Sequence, residues 1–297
     1  MQEVATGRRT VAELRAGDVV EGVYACTRKD RLNARNGSTY LALELRDRSG
    51  ALPARAFRDA DFLAGQFERG DLVWVSGRVE RFRDELQAEL AAIRRAEDAG
   101  AAPEDFLPVA YRDLDELDGF LEHLAREVYD RDYRALLDTF LEDPEFRERF
   151  RRSPCTRAGH HAYLGGLLEH TVAVATLAQE TCALHPRLDS DLLTCAAILH
   201  DVGKIEEFRL EAEIALSEAG ALVGHVALGQ QLVVERAALL AGFPREKLLA
   251  LAHCILAHHG VDALPGRRFR SPEALALYRL NALDAGVKGA LEHGLTP

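Results

Sequence analysis

The sequence predicts two domains, a small all-β barrel over residues 1–95 and an all-α domain over 109–297. Three observations support this. Alternating apolar runs crowd the first 95 residues and give way, after 109, to apolar residues at helical spacing. Between them, residues 96–108 are small and polar, punctuated by Pro103 and Pro108, and read as a linker. The length of 297 residues suits about two domains at ~100–200 residues each. No internal repeat or low-complexity tract interrupts either part.

The strands come first. Val19 to Ala25 opens the series. Tyr40 to Asp47 alternates, with Leu41, Leu43 and Leu45 on one face and Tyr40, Glu44 and Arg46 on the other. Asn36-Gly37 before it is a hairpin signal, and Ser49-Gly50 marks the turn into a third strand, Ala51 to Phe57. Leu72 to Val79 is a fourth strand and Glu85 to Ile93 a fifth, with a helix-like insert near 59–68. Five short strands with one helical insert predict a small OB-type barrel.

The strings Asn-Gly-x-x-Tyr-Leu-x-Leu-x-Leu-x-Asp at 36–47 and Gly-Asp-x-Val-x-Val-x-Gly-x-Val at 70–79 resemble nucleic-acid-binding OB-folds of the anticodon-binding type. Such barrels hold single strands with basic residues and aromatic stacking platforms. The candidates here are Tyr40 and Trp74, with Arg28, Lys29, Arg31 and Arg35 in the expected loop before Asn36. In the alternative reading Trp74 caps a core or packs on the second domain, and the basic loop is merely solvated.

Composition narrows the setting. Apolar residues make up 47%, enough for a sizeable core without staples. The five cysteines are scattered, with no Cys-x-x-Cys pair, which argues against a zinc ribbon or a disulfide framework. No apolar run approaches ~20 residues, so no membrane span and a cytoplasmic location are expected. The net charge of −11 is uneven. Residues 1–95 hold 17 Lys/Arg and 15 Asp/Glu, a net of +2, while the other 202 residues carry 20 and 33, a net of −13. The first part can therefore still meet phosphates.

From 109 onward, Leu114 to Glu127, Arg131 to Leu141, Leu167 to Leu184, Asp191 to His200, Gly224 to Ala241, Arg245 to His259 and Pro272 to Lys288 all carry helical spacing. Histidines fall on these helices in a series: His170, His200 beside Asp201, His225, and His258 beside His259. A helical bundle can turn such positions inward to a shared metal centre, the Asp201 carboxylate bridging two ions. Lys204, three residues beyond Asp201, falls on the same helix face. Taken singly, each histidine is more simply a hydrogen-bonded core residue. His123, His185 and His293 fit the surface, and His253 fits a core or supporting position.

The ordered strings His160-His161-Ala162-Tyr163, Gly166-Leu167 and His170, Leu199-His200-Asp201-Val202-Gly203-Lys204, Gly224-His225, Ile255 to Gly260, and Glu273-Ala274 with Leu283-Asp284-Ala285 resemble the HD metal-dependent phosphohydrolases. With the barrel, they resemble the YhaM-type 3′→5′ exoribonucleases over nearly the whole chain. That resemblance implies two divalent ions, one held by His170, His200 and Asp201, the other by Asp201, His225, His258 and His259. It favours Mn²⁺, with Co²⁺, Fe²⁺ and Ni²⁺ compatible, and implies single-stranded RNA or DNA as partner. Lys204 and His161 would face the phosphate or the departing alkoxide. The family's further aspartate ligand is Asn281 here, a weaker neutral donor. Asp284 is either its substitute or a simple helix carboxylate. Two other readings stand beside the exonuclease: an HD enzyme for a nucleotide or cyclic dinucleotide, and a nucleic-acid-binding protein with a decayed site. The sequence is also compatible with a homo-oligomer.

Overall fold

The structure is a computed structural model that describes residues 9–34, 37–96, 102–262 and 264–295. Arg35, Asn36, the opening residues 1–8 and the linker stretch 97–101 lie outside the described residues. The chain forms two compact units, Met1–Pro108 with Leu210–Ile214, and Val109–Arg209 with Ala215–Pro297.

The first unit is a closed five-stranded barrel with strands β1 (Val19–Asn33), β2 (Thr39–Asp47), β3 (Gly50–Ala56), β4 (Leu72–Phe82) and β5 (Glu85–Arg95). Their order round the barrel is β1-β2-β3-β5-β4. A short helix α1 (Ala60–Ala64) lies between β3 and β4, where the insert was expected. The period-2 pattern does what it should: Leu41, Leu43, Leu45, Val73, Val75 and Val79 all face inward, none more than 4% exposed. Each such side chain contributes about 1.5–3 kcal/mol by leaving water.

One expectation is corrected here. β1 runs on to Asn33, so Arg28, Lys29 and Arg31 lie in a strand paired with β2 and not in a loop. The basic run hid the strand because Arg28, Lys29, Asp30 and Arg31 are four consecutive charged residues and break the apolar alternation.

The second unit is helical: α2 (Leu114–Arg126), α3 (Arg131–Leu141), α4 (Pro144–Arg152), α5 (Gly166–Leu184), α6 (Ser190–Leu199), α7 (Lys204–Glu207), α8 (Glu218–Leu222), α9 (His225–Ala238), α10 (Arg245–Ala257) and α11 (Pro272–His293). Asp113, Asp130 and Asp143 each accept two backbone N–H groups at the starts of α2, α3 and α4. Two short strands, β6 (Phe208–Leu210) and β7 (Ile214–Leu216), pair into a hairpin that no sequence signal announced.

The centre of this unit is α5 and α6. Every residue of α6 from Leu192 to Leu199 is buried, and α5 buries Leu167 through Val172 without a break. A helix apolar on every side belongs in the interior. Polar residues on these two helices are therefore held deep in the protein. No helix among the described residues is long and apolar enough to cross a membrane.

Candidate metal centre and nucleic-acid face

His170 lies in the buried first half of α5, and His200 and Asp201 end α6; none is more than 1% exposed. His225 opens α9, and His258 and His259 follow the end of α10. Four separate chain segments thus bring five imidazoles to one carboxylate.

The hydrogen bonds behind these rings fix which nitrogen faces it. The Nδ1–H of His200 donates to the Ala197 carbonyl at 2.7 Å, and that of His258 to the Ile255 carbonyl at 2.6 Å. A carbonyl only accepts, so Nδ1 carries the proton and Nε2 is left with its lone pair. His170 Nδ1 stands 2.7 Å from Asp284 Oδ2, and His225 Nδ1 2.9 Å from Glu207 Oε1. Both carboxylates are held ionised. Burial would raise Asp284, but hydrogen bonds from His161 and His170 pull it well below its usual value. Burial would likewise raise Glu207, but the bond from His225 holds it low. Imidazoles backed by a carboxylate or a carbonyl are metal ligands in waiting.

All four Nε2 atoms converge on Asp201. Oδ2 lies 3.5 Å from His170 and 3.3 Å from His200; Oδ1 lies 3.5 Å from His225 and 3.4 Å from His258. The Nε2 atoms of His170 and His200 face each other at 3.2 Å, lone pair to lone pair. Asp201 Oδ1 and His258 Nε2 are buried without any hydrogen-bond partner. Such groups are costly unless something positive completes them. Burial opposes charge on Asp201, yet Lys204 and His200 hold it well below the usual carboxylate range. Burial pushes His170 down to about 4 and, with His258 beside it, His259 down to about 3, so both rings are neutral donors near pH 7. The donor set fits divalent cations in two groups: His170, His200 and Asp201, and Asp201, His225, His258 and His259.

Two glycines make the arrangement possible. A Cβ on Gly203 would stand 2.1 Å from the His225 carbonyl and 2.3 Å from the Gly229 amide, so only glycine lets α9 cross here. Gly203→Ala is therefore expected to displace His225 and lower metal content on its side, as elemental analysis of the purified variant would register. A Cβ on Gly166 would meet the His161 carbonyl at 2.1 Å, and His161 itself adopts φ 51°. That left-handed conformation is uncommon outside glycine, though histidine adopts it more readily than most, and it marks a constrained site.

His161 does not face open space. Its Nδ1 is 2.9 Å from the Tyr163 hydroxyl and its Nε2 3.0 Å from Asp284 Oδ2. Tyr163 in turn donates to Glu169, which Lys288 holds at 2.9 Å. Lys204 is 4% exposed; its ammonium stands 2.7 Å from Asp201 Oδ2 and 3.2 Å from Cys155 Sγ. Asn281 is buried and its amide donates to the His258 carbonyl at 3.2 Å. Asp284 is neither a surface group nor a cap, because it backs both His161 and His170. Glu207, Glu169 and Lys288 escaped sequence reasoning. Only Glu169, directly before His170, carried any local hint.

On the barrel, Arg28 pairs with Asp30 at 2.5 Å and Arg31 with Asp61 at 2.7 Å, both cations remaining largely exposed. Lys29 is turned inward, donating to the carbonyls of Ala64 and Phe67. Trp74 is half-buried with Arg94 over its ring. Tyr40 sits in a richer setting. Its ring lies 5.4 Å from that of Phe57, Arg55 spans from Tyr40 to Phe82, and Arg83 also covers Phe82. Phe57 and Phe82 are 44% and 45% exposed. This aromatic–arginine cluster was not foreseen, although exposed phenylalanines at the ends of β3 and β4 are a usable signal.

A five-stranded barrel together with an all-helical histidine–aspartate centre defines a class, OB-fold proteins carrying an HD domain. The matches agree: the HD domain model covers residues 167–286, and the OB-fold nucleic acid binding domain model, of the tRNA anti-codon type, covers 24–94. The 3′-5′ exoribonuclease YhaM of Shouchella clausii is 29% identical over 284 residues, 92% of this chain and 85% of its own. That of Bacillus pumilus is 30% identical over 274 residues, 88% of this chain and 83% of its own. That of Listeria innocua is 25% identical over 289 residues, 94% and 89%. The chain belongs to the YhaM 3′-5′ exoribonuclease family.

Proposed function

We infer that this protein is a metal-dependent 3′→5′ exoribonuclease, cleaving phosphodiester bonds of single-stranded RNA to nucleoside monophosphates. The observation that carries the reading is the two-sided Asp201 carboxylate, one oxygen toward His170 and His200 and the other toward His225 and His258. Relatives bearing the exoribonuclease name support the substrate and polarity. Divalent ions bound on both sides would lower the pKa of a water and neutralise a phosphate undergoing in-line displacement. We assign Mn²⁺ to this role; imidazole and carboxylate donors also accommodate Co²⁺, Fe²⁺ and Ni²⁺.

The side chains divide the remaining work. Asp201, held ionised, offers an oxygen to each side. Lys204 fixes that carboxylate and offsets its charge within a buried pocket. Asp284 and Glu207 orient His170 and His225, and His161 positions Asp284, both of its nitrogens being engaged. We assign Asn281 to holding the end of α10 through the His258 carbonyl, with no place among the donors.

The test is digestion of a 5′-labelled single-stranded RNA with Mn²⁺ present. A ladder shortening from the 3′ end, arrested by a blocked 3′ terminus, is expected. Hydrolysis of mononucleotides or cyclic dinucleotides with the RNA left intact would sink the reading, and a parallel DNA substrate fixes the preference.

The barrel face that we assign to the strand is the cluster of Tyr40, Arg55, Phe57, Phe82 and Arg83. Phe57→Ala and Phe82→Ala each weaken single-strand binding by about 1–3 kcal/mol, or about 5- to 150-fold. Fluorescence anisotropy in chelator, where nothing is cut, measures this, and an unchanged melting temperature separates it from misfolding.

A further inference from the structure

We propose that Cys155, with His160 beside it, is a further ligand of the first metal site, giving that site a thiolate that draws it toward Zn²⁺, Co²⁺ or Fe²⁺. This rests on the metal-centre reading above and confines its Mn²⁺ assignment to the second site.

The first site is short of donors. His170 Nε2, His200 Nε2 and Asp201 Oδ2 make three, whereas the second group has four. The side chains available to make up the difference from α11 are otherwise engaged: Asn281 with the His258 carbonyl and Asp284 with the far nitrogen of His170. A divalent ion with imidazole and thiolate donors takes four ligands or more.

Cys155 lies beside this site, in a neighbouring donor group that shares His170 with it. It is fully buried, and its Sγ stands 3.9 Å from Asp201 Oδ2, the oxygen that faces His170 and His200. Its sulfur and ring nitrogens of His160 and His170 all lie within 4.8 Å of one another. His160 Nδ1 is buried with no hydrogen-bond partner. The position is set by the backbone, since the Cys155 amide donates to the carbonyl of left-handed His161 at 3.0 Å.

Burial pushes the Cys155 thiol up to about 12 despite Lys204, so the sulfur stays protonated until an ion displaces the proton. Lys204 donates to Sγ at 3.2 Å, supplying a cation beside a group that binds metal only as thiolate. Binding forms the metal–sulfur bond and releases the thiol proton to solvent. The soft donor then favours Zn²⁺, Co²⁺ or Fe²⁺ over Mn²⁺ at this one site.

The experiment loads the full-length protein with Co²⁺, counts bound cobalt by elemental analysis and records the near-ultraviolet spectrum. A sulfur-to-cobalt charge-transfer band is expected in the wild type and is lost in Cys155→Ser. Cobalt bound without that band, or a band that survives in Cys155→Ser, overturns the thiolate ligand while leaving the metal centre standing. No bound cobalt at all overturns the centre and this proposal with it. X-ray absorption on the Zn²⁺-loaded wild type decides the matter if the variant fails to fold: a sulfur shell at about 2.3 Å is expected, and its absence refutes the proposal.

Discussion

Asp201→Ala abolishes nuclease activity and empties both sides of the centre, because among the described residues no other lends an oxygen to each. A histidine substitution removes a donor from one side only. The same change also destabilises the metal-free protein, for a separate reason. Lys204 is almost wholly buried, and although burial disfavours its charge, Asp201 raises its pKa overall, so the ammonium persists. Without the carboxylate that charge is left unpaired in the interior, at a cost of about 3–5 kcal/mol. Asp201→Ala combined with Lys204→Met recovers most of that stability and none of the turnover. Urea unfolding in chelator and metal analysis of both variants check the two halves. Asp201→Ala protein that still held metal on both sides would contradict the bridging role.

The metal-free protein loses stability as the pH falls from about 6.5 toward 4. Burial lowers His170 from 6.5 to about 4, and lowers His160 likewise to about 4. In that window the unfolded chain binds more protons than the folded one, so acid favours unfolding. The stability is complete above 6.5 and disappears as the pH passes through the folded values. His170 alone accounts for about 3 kcal/mol of it. Asp201 and Asp284 follow. Held below their usual 3.8, they add a second loss at lower pH still. Denaturant midpoints in chelator from pH 8 down to 4 measure the first loss, and a flat profile across that range would contradict it.

What was legible in the sequence tracks what is periodic. Leu41, Leu43 and Leu45 announced β2 because alternate residues meet the barrel core. α5 and α6 were visible as apolar helices. α4 was not, since Phe146 and Phe150 are its only buried residues and four arginines surround them. β6 and β7, three residues each, are too short to show any period. The same division runs through the site. Histidines and Asp201 stand out by residue type and order, whereas Glu207 reaches His225 across 18 residues of chain and Glu292 reaches His161 across 131. Contacts of that kind are made by the fold and have no local pattern. Asn281 illustrates the limit from the other side: its position invites a comparison with aspartate, but its role depends on which carbonyl lies opposite.

The hydrogen bonds behind the imidazoles have a further consequence. Each side of Asp201 has one ring held by a backbone carbonyl, His200 or His258, and one held by a carboxylate, His170 or His225. The two halves follow a single plan, so their common parts contribute alike to both and cannot tell one ion from the other. Any ranking of the two loading steps comes from what has no counterpart: His259 on one side, and on the other the Lys204 ammonium against Asp201 Oδ2 and the Cys155 corner.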